Sequence, residues 1–193
     1  LMLTGMIGGE SAGVYSAAAN LVEVWTIIPM TLINSTTPLL TPLHASDRGR
    51  YEYELTRLAR LFAALAWVLT LGLAGVAPFA VPLLLGADYA ASVPVLVVLA
   101  TSLPFAFLGL AAVPWYLNER LTRVAMMRHL LGALLNVALN FLFIPRWGAP
   151  GAAFATTIAF AVAHVLTNAI TPRTRPIFAI QWRAFLLLPL RSP

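Results

Sequence analysis

Ser16, Asn20, Glu23, Thr31 and Asn34 interrupt one long apolar stretch at helical spacing. At about 100° per residue they fall within about 80° of one another, so a helix through them carries a single polar stripe. Glu23 is the acidic member, and an unpaired charge in hydrocarbon costs at least about 3 kcal/mol. Its stable settings are a water-filled cavity, a charged partner, or the protonated state. No arginine lies deep in an apolar segment to pair with it. Two readings follow: a carboxyl that lines a translocation cavity and takes part in cation coupling, or a protonated, hydrogen-bonded helix contact.

Arg57 and Arg60 stand at the mouth of the next apolar segment and could receive a phosphate, although arginines flanking a span also serve only to orient it. Asn136 and Asn140, one turn apart, and His164 with Asn168 read as hydrogen-bonding contacts between helices. A lone histidine without a second donor is not a metal site. No Gly-rich phosphate loop, Ser/His/Asp set or metal-ligand spacing is present, and the absence of cysteine removes disulfides and thiolate metal sites. The sequence therefore implies no catalytic residue, metal or cofactor. An integral-membrane enzyme of polysaccharide synthesis would need acid or base groups in a sizeable outer loop, and the short connections on that side carry only Glu10, Asp88 and Arg146.

The elements that position these residues must lie in a bilayer. Of 193 residues, 60% are hydrophobic and 10% charged, against about 25% charged in a soluble domain. A helical crossing needs about 20 apolar residues, and such segments cover roughly residues 13–43, 61–85, 91–117, 121–144 and 149–171. An apolar stub precedes them and reads as the back half of a further span, so the chain is expected to be a fragment of a longer protein. Within the polar stretch 44–60, residues 51–58 suit an amphipathic helix at the interface. A second polar stretch, 172–183, precedes an apolar run, 184–190, too short to cross.

The net charge of +5 comes from twelve basic residues, all arginine. Arg48, Arg50, Arg57 and Arg60 share one connection, Arg120, Arg123 and Arg128 another, and Arg173, Arg175 and Arg183 a third, while the alternate connections hold Arg146 alone. That asymmetry orients multispanning proteins with the basic side in the cytoplasm, and it excludes a nucleic-acid footprint, which gathers on one face. Tyr15, Tyr89 and Trp147 fall at outer ends and Tyr51, Tyr53, Trp115, Tyr116 and Trp182 at inner ends, as headgroup-level rings do. Gly151, Ala155, Ala159, Ala163 and Thr167 form a small-residue stripe of the kind that lets helices approach in lipid. Prolines within or near the spans, among them Pro29, Pro38, Pro78, Pro82, Pro94, Pro104 and Pro114, mark bends that read as transport hinges, although proline-bearing helices also occur in membrane proteins that transport nothing.

The run Ala12 Gly13 Val14 Tyr15 Ser16 Ala17 Ala18, continuing through Glu23 to Ile28 Pro29 and Thr37 Pro38 Leu39 Leu40, resembles the Wzx-type O-antigen flippases of the multidrug/oligosaccharidyl-lipid/polysaccharide superfamily. Leu84 Leu85 Gly86 Ala87 Asp88 Tyr89 and Trp147 Gly148 Ala149 Pro150 Gly151 Ala152 Ala153 Phe154 Ala155 Thr156 resemble two further landmarks of it.

The resemblance implies an all-α integral membrane fold, with residues 1–171 forming a six-helix lobe (helices 7–12, the first truncated) of a two-lobe transporter and residues 172–193 forming a cytoplasmic stretch with an incomplete apolar tail. It implies alternating-access flipping of an undecaprenyl-diphosphate-linked oligosaccharide from the cytoplasmic to the outer leaflet of the bacterial inner membrane. The partners are then that lipid-linked sugar, membrane lipids and a missing N-terminal lobe. The alternative within the superfamily is an exporter of drugs or of the peptidoglycan precursor. Mid-span cations that would hold a diphosphate are absent here, so the resemblance places them in the other lobe.

Overall fold

The computed structural model describes residue 5 and residues 8–188. Among these the secondary structure is all helical. Helix α1 (Gly9–Glu23) runs through a 3-10 turn (Val24–Thr26) into α2 (Ile27–Ser46), and α3 (Arg48–Leu85) follows. Helices α4 (Ser92–Ala100), α5 (Leu103–Ala111) and α6 (Val113–Asn118) lie end to end before α7 (Thr122–His164) and α8 (Arg175–Phe185). Four segments are long and apolar enough to cross a membrane: Gly9–Ser46, Arg48–Leu85, Ser92–Asn118 and Thr122–Ala169. Most of the N-terminal stub and the last residues of the apolar run 184–190 lie outside the described residues.

The last segment holds two of the expected spans. Its 48 residues would reach roughly 70 Å if straight, more than twice the hydrocarbon thickness of about 30 Å. At Gly148, between Pro145 and Pro150, the backbone takes φ 59° and ψ −136°, a left-handed conformation that glycine adopts without steric cost. The two arms of α7 then return against each other, with Arg128 meeting His164, Asn136 meeting Thr156 and Phe143 meeting Gly151. Gly151, Ala155, Ala159 and Ala163 are buried along the seam and Thr167 is half-buried, as the small-residue stripe leads one to expect.

The Ser92–Asn118 segment is the centre of the lobe, since 67% of its apolar window is buried against 22% and 17% for the two segments before it. Pro104 and Pro114 stand in the first turns of α5 and α6, where a missing N–H breaks no helical bond. These prolines divide the segment without unfolding it. Around it pack Tyr51, Leu55 and Phe62 of α3, with Leu96, Phe107, Leu108 and Trp115 of the central segment itself. Side-chain hydroxyls tie neighbouring helices by bonding to carbonyls, Thr70 to Ala100 and Ser92 to Val14, each at 2.9 Å. Phe79 and Leu83 remain largely exposed on α3, as a surface meant for lipid requires.

Three expectations are corrected. Residues 51–58 are not a separate interfacial helix; they are early turns of α3, whose 38 residues span roughly 57 Å and so project beyond the hydrocarbon. Tyr51, Leu55 and Leu58 are core residues, and the Asp47 carboxylate caps the helix by accepting from the Arg50 N–H at 3.0 Å. Trp115 and Tyr116, at the end of the central segment, are buried between helices rather than exposed on the surface, Trp115 stacking with Tyr51 at a centroid distance of 6.3 Å. Tyr89, Trp147 and Trp182 do stay exposed.

Arg128 is not a loop residue. It lies inside α7, buried, with its guanidinium carbon 4.2 Å from the Tyr116 ring centroid and Nη1 donating to the His164 carbonyl at 3.2 Å. A long apolar stem lets a position near a helix end turn its charged head inward, where the ring face supplies a cation–π partner.

Candidate functional site

All five residues of the polar stripe lie on α1 and α2, and all five are exposed on the lobe. The Val24–Thr26 turn begins right after Glu23. Three residues at 3.0 per turn add about 60° of rotation relative to an α-helix, and both halves of the stripe still face outward. Pro29 cannot donate to the Trp25 carbonyl, which removes the bond that would keep this turn α-helical. Within the turn the Thr26 hydroxyl donates to the Glu23 carbonyl at 2.7 Å.

Further along, Pro38 cannot donate to the Asn34 carbonyl, so that oxygen joins the polar face. The Thr31 hydroxyl donates back to the Ile27 carbonyl at 2.9 Å. Among the described residues no side-chain hydrogen bond engages Ser16, Asn20, Glu23 or Asn34, and no basic group lies within ion-pair reach of Glu23. These side chains keep their hydrogen-bonding capacity free.

Behind Glu23 lies a cavity of about 60 Å³ whose lining includes Tyr15, Thr26, Ser102 and Thr156. The Tyr15 and Thr156 hydroxyls are 3.0 Å apart. Asn136 Nδ2 donates to Thr156 Oγ1 at 3.2 Å, and Asn140 Nδ2 to Asn136 Oδ1 at 2.9 Å. A hydrogen-bonded seam thus runs from the α7 hairpin to the back of the polar stripe. Asn136 makes the expected contact between the arms, whereas Asn140 bonds to Asn136 within its own arm. Tyr15 and Thr156 were missed as members because they lie 141 residues apart in the chain, and Tyr15 resembles an ordinary headgroup-level aromatic.

A second concavity, an open groove of about 720 Å³, lies between α2 and α3. Its walls include Leu39, Leu40, Leu43, Leu58 and Leu61, and its polar end holds Arg50, Glu54 and Arg57. Arg57 pairs loosely with Glu54 at 3.7 Å. Arg60 faces elsewhere, its Nη2 donating to the Leu187 carbonyl at 3.4 Å. The structure does not bring Arg57 and Arg60 together into one phosphate clamp.

Near the same end an ion network fastens the α2–α3 corner to the end of α6. Arg48 Nη1 lies 2.6 Å from Glu119 Oε1, Arg48 Nε 3.0 Å from Glu52, and His44 Nε2 3.1 Å from Glu119. The Arg48 guanidinium also sits 4.9 Å from the Trp115 ring centroid. Burial raises the Glu119 carboxyl, but hydrogen bonds from His44 and Arg48 outweigh it and hold the group below the ordinary carboxylate range. Among the described residues no group of three or more histidine, aspartate or glutamate side chains is placed to hold a metal.

An all-helical membrane lobe with an exposed polar face on bent helices has the architecture of an integral-membrane transporter. The family model described as lipid II flippase MurJ matches residues 8–190, and the chain belongs to that flippase family, within the superfamily the sequence motifs resemble. The branch differs from the expected one: the match is to lipid II flippases and lends no support to the O-antigen subtype. Neither a curated protein nor a solved structure matches the chain.

Proposed function

We propose that this chain forms one lobe of a flippase that carries lipid II, the peptidoglycan precursor, from the cytoplasmic to the outer leaflet of the bacterial cytoplasmic membrane. The observation that carries this reading, beside the family match, is the exposed polar face of α1 and α2 on helices otherwise built for lipid. A sugar headgroup on a diphosphate cannot enter hydrocarbon without compensating hydrogen bonds. Ser16, Asn20, Glu23 and Asn34 offer such bonds at successive depths, while the isoprenoid tail remains in the bilayer.

On this reading the stripe faces a second lobe across a wet cavity, and the two rock in alternating access. The arginine-rich ends, including the start of α8, lie in the cytoplasm by the charge asymmetry of the connections. The O-antigen alternative makes the same use of the stripe, so the test concerns cargo. In cells depleted of their own lipid II flippase, expression of the complete protein is expected to restore lipid II at the outer leaflet. Failure there, together with rescue of O-antigen export in a strain lacking its O-antigen flippase, would overturn the reading.

A further inference from the structure

The groove between α2 and α3 is separate from the proposed path. On α2, Thr36, Leu39 and Leu43 lie about 140–200° around the helix from Asn34, so the groove opens on the face opposite the polar stripe. On α3, Arg50, Glu54, Arg57 and Leu61 recur at i, i+4, i+7 and i+11, which is one face of one helix. Leu61 lies roughly 16 Å along the axis from Arg50. Charge occupies one end of the groove and leucine the remainder, and that is also the order of chemistry along a phospholipid standing in a leaflet.

We propose that this groove holds an anionic phospholipid of the leaflet at the arginine-rich end. Its phosphate sits against Arg50 and Arg57, and an acyl chain runs along Leu39, Leu43 and Leu61. The charge at the mouth selects the headgroup. Two guanidinium groups against the single carboxylate of Glu54 leave a positive site, which attracts a net negative headgroup. A zwitterionic headgroup would bring its own cation to the same place. The bound lipid would fill the wedge between α2 and α3 and hold their relative angle. The cargo does not enter this assignment, which stands whether or not lipid II is transported.

These 193 residues contain no cysteine, so once any cysteine elsewhere in the complete protein is replaced by serine a single introduced thiol reports one position. A short-range fluorophore is attached to Leu61→Cys in the complete protein, reconstituted in phosphatidylcholine vesicles containing brominated lipid. Brominated phosphatidylglycerol is expected to quench it about fivefold more strongly, mole for mole, than brominated phosphatidylcholine, the factor expected from one arginine–headgroup attraction. The R50Q/R57Q double variant is expected to abolish the preference, and a label at Leu83→Cys, at the other end of α3, to show none.

Equal quenching by the two lipids at position 61, or a preference that survives R50Q/R57Q, would overturn the proposal. So would shielding of the label from both lipids, which would mean that protein covers the groove. Displacement of brominated phosphatidylglycerol by polyprenyl diphosphate, at amounts where unlabelled phosphatidylglycerol has no effect, would assign the groove to the transported lipid instead and equally overturn it.

Discussion

Gln181 of α8 donates to the carbonyl of His164, 2.9 Å away, at the point where α7 ends. The same amide nitrogen reaches the Leu108 carbonyl of α5, also at 2.9 Å, while Gln181 Oε1 accepts from Asn168 Nδ2 at 2.7 Å. Asn168 Oδ1 in turn accepts from the Tyr116 hydroxyl. Gln181 is fully buried, so these bonds have no water to replace them. Through one side chain, α8 is fixed to the central segment and to the hairpin.

Replacing Gln181 by leucine keeps the volume and removes three buried hydrogen bonds, while the His164 carbonyl keeps its donors Arg128 and Asn168 and the Leu108 carbonyl keeps the Ala112 N–H. The expected loss is about 1–3 kcal/mol of stability, the sum of those three bonds at their net worth in a folded protein. Thermal unfolding of the purified protein in detergent is the check. An unchanged Tm would mean that the amide's bonds contribute nothing to docking α8.

The hairpin gives a steric prediction. A Cβ on Gly132 would stand 2.5 Å from the Cβ of Ala163, closer than two carbons can approach. Gly132→Val is expected to cost about 1–3 kcal/mol as overpacking. Combining Gly132→Ala with Ala163→Gly returns the missing space and should recover most of the loss seen in Gly132→Ala alone. Equal Tm values for the single and double variants would show that the arms do not pack as described.

Glu119 supplies a pH prediction. Its carboxyl is held below the ordinary value of 4.5, so its ion network stabilises the fold above that value, and the contribution is lost as the pH falls through the lower folded-state pKa. The stability difference between the protein and its E119Q variant is therefore expected to shrink as the pH falls below about 4.5. Denaturation at a series of pH values measures it. A difference that does not change on acidification would contradict the network.

The spans, the hairpin at Gly148 and the polar stripe were legible in the sequence because each depends on local pattern: runs of apolar residues, a Gly between prolines, polar residues at helical spacing. Burial within the protein was not legible in this way. Arg128, Trp115 and Tyr116 lie near span ends, where charge and aromatic rings ordinarily meet headgroups, yet the cation and the Tyr116 ring satisfy each other inside the lobe. That pairing joins residues from two segments and leaves no mark in either alone. Arg57 and Arg60 lie only about 60° apart around α3, and what separates them is their partners, Glu54 on the same helix for Arg57 and the Leu187 carbonyl beyond α8 for Arg60, a long-range contact that helical spacing does not contain.

Glu23 is the residue on which the transport reading makes its chemical claim. In the complete protein, Glu23→Gln is expected to lower the rate of lipid II flipping about tenfold, equivalent to about 1.4 kcal/mol, and to flatten its pH dependence. Glu23→Asp should retain the pH dependence. Flipping by the Gln variant at the wild-type rate and with the wild-type pH profile would remove Glu23 from the coupling step and leave it a structural contact.

The account depends most on the claim that the polar face of α1 and α2 borders water and cargo rather than lipid. Single cysteines at Asn20 and Asn34 in the complete protein, with any cysteine outside these 193 residues replaced by serine, allow a direct measurement with a water-soluble thiol reagent in intact membranes, using Phe79→Cys as the lipid-facing comparison. Rapid modification at 20 and 34, slowed by added lipid II and absent at 79, is the result the account predicts. Failure of the reagent to reach positions 20 and 34, or modification there that lipid II does not slow, would contradict it.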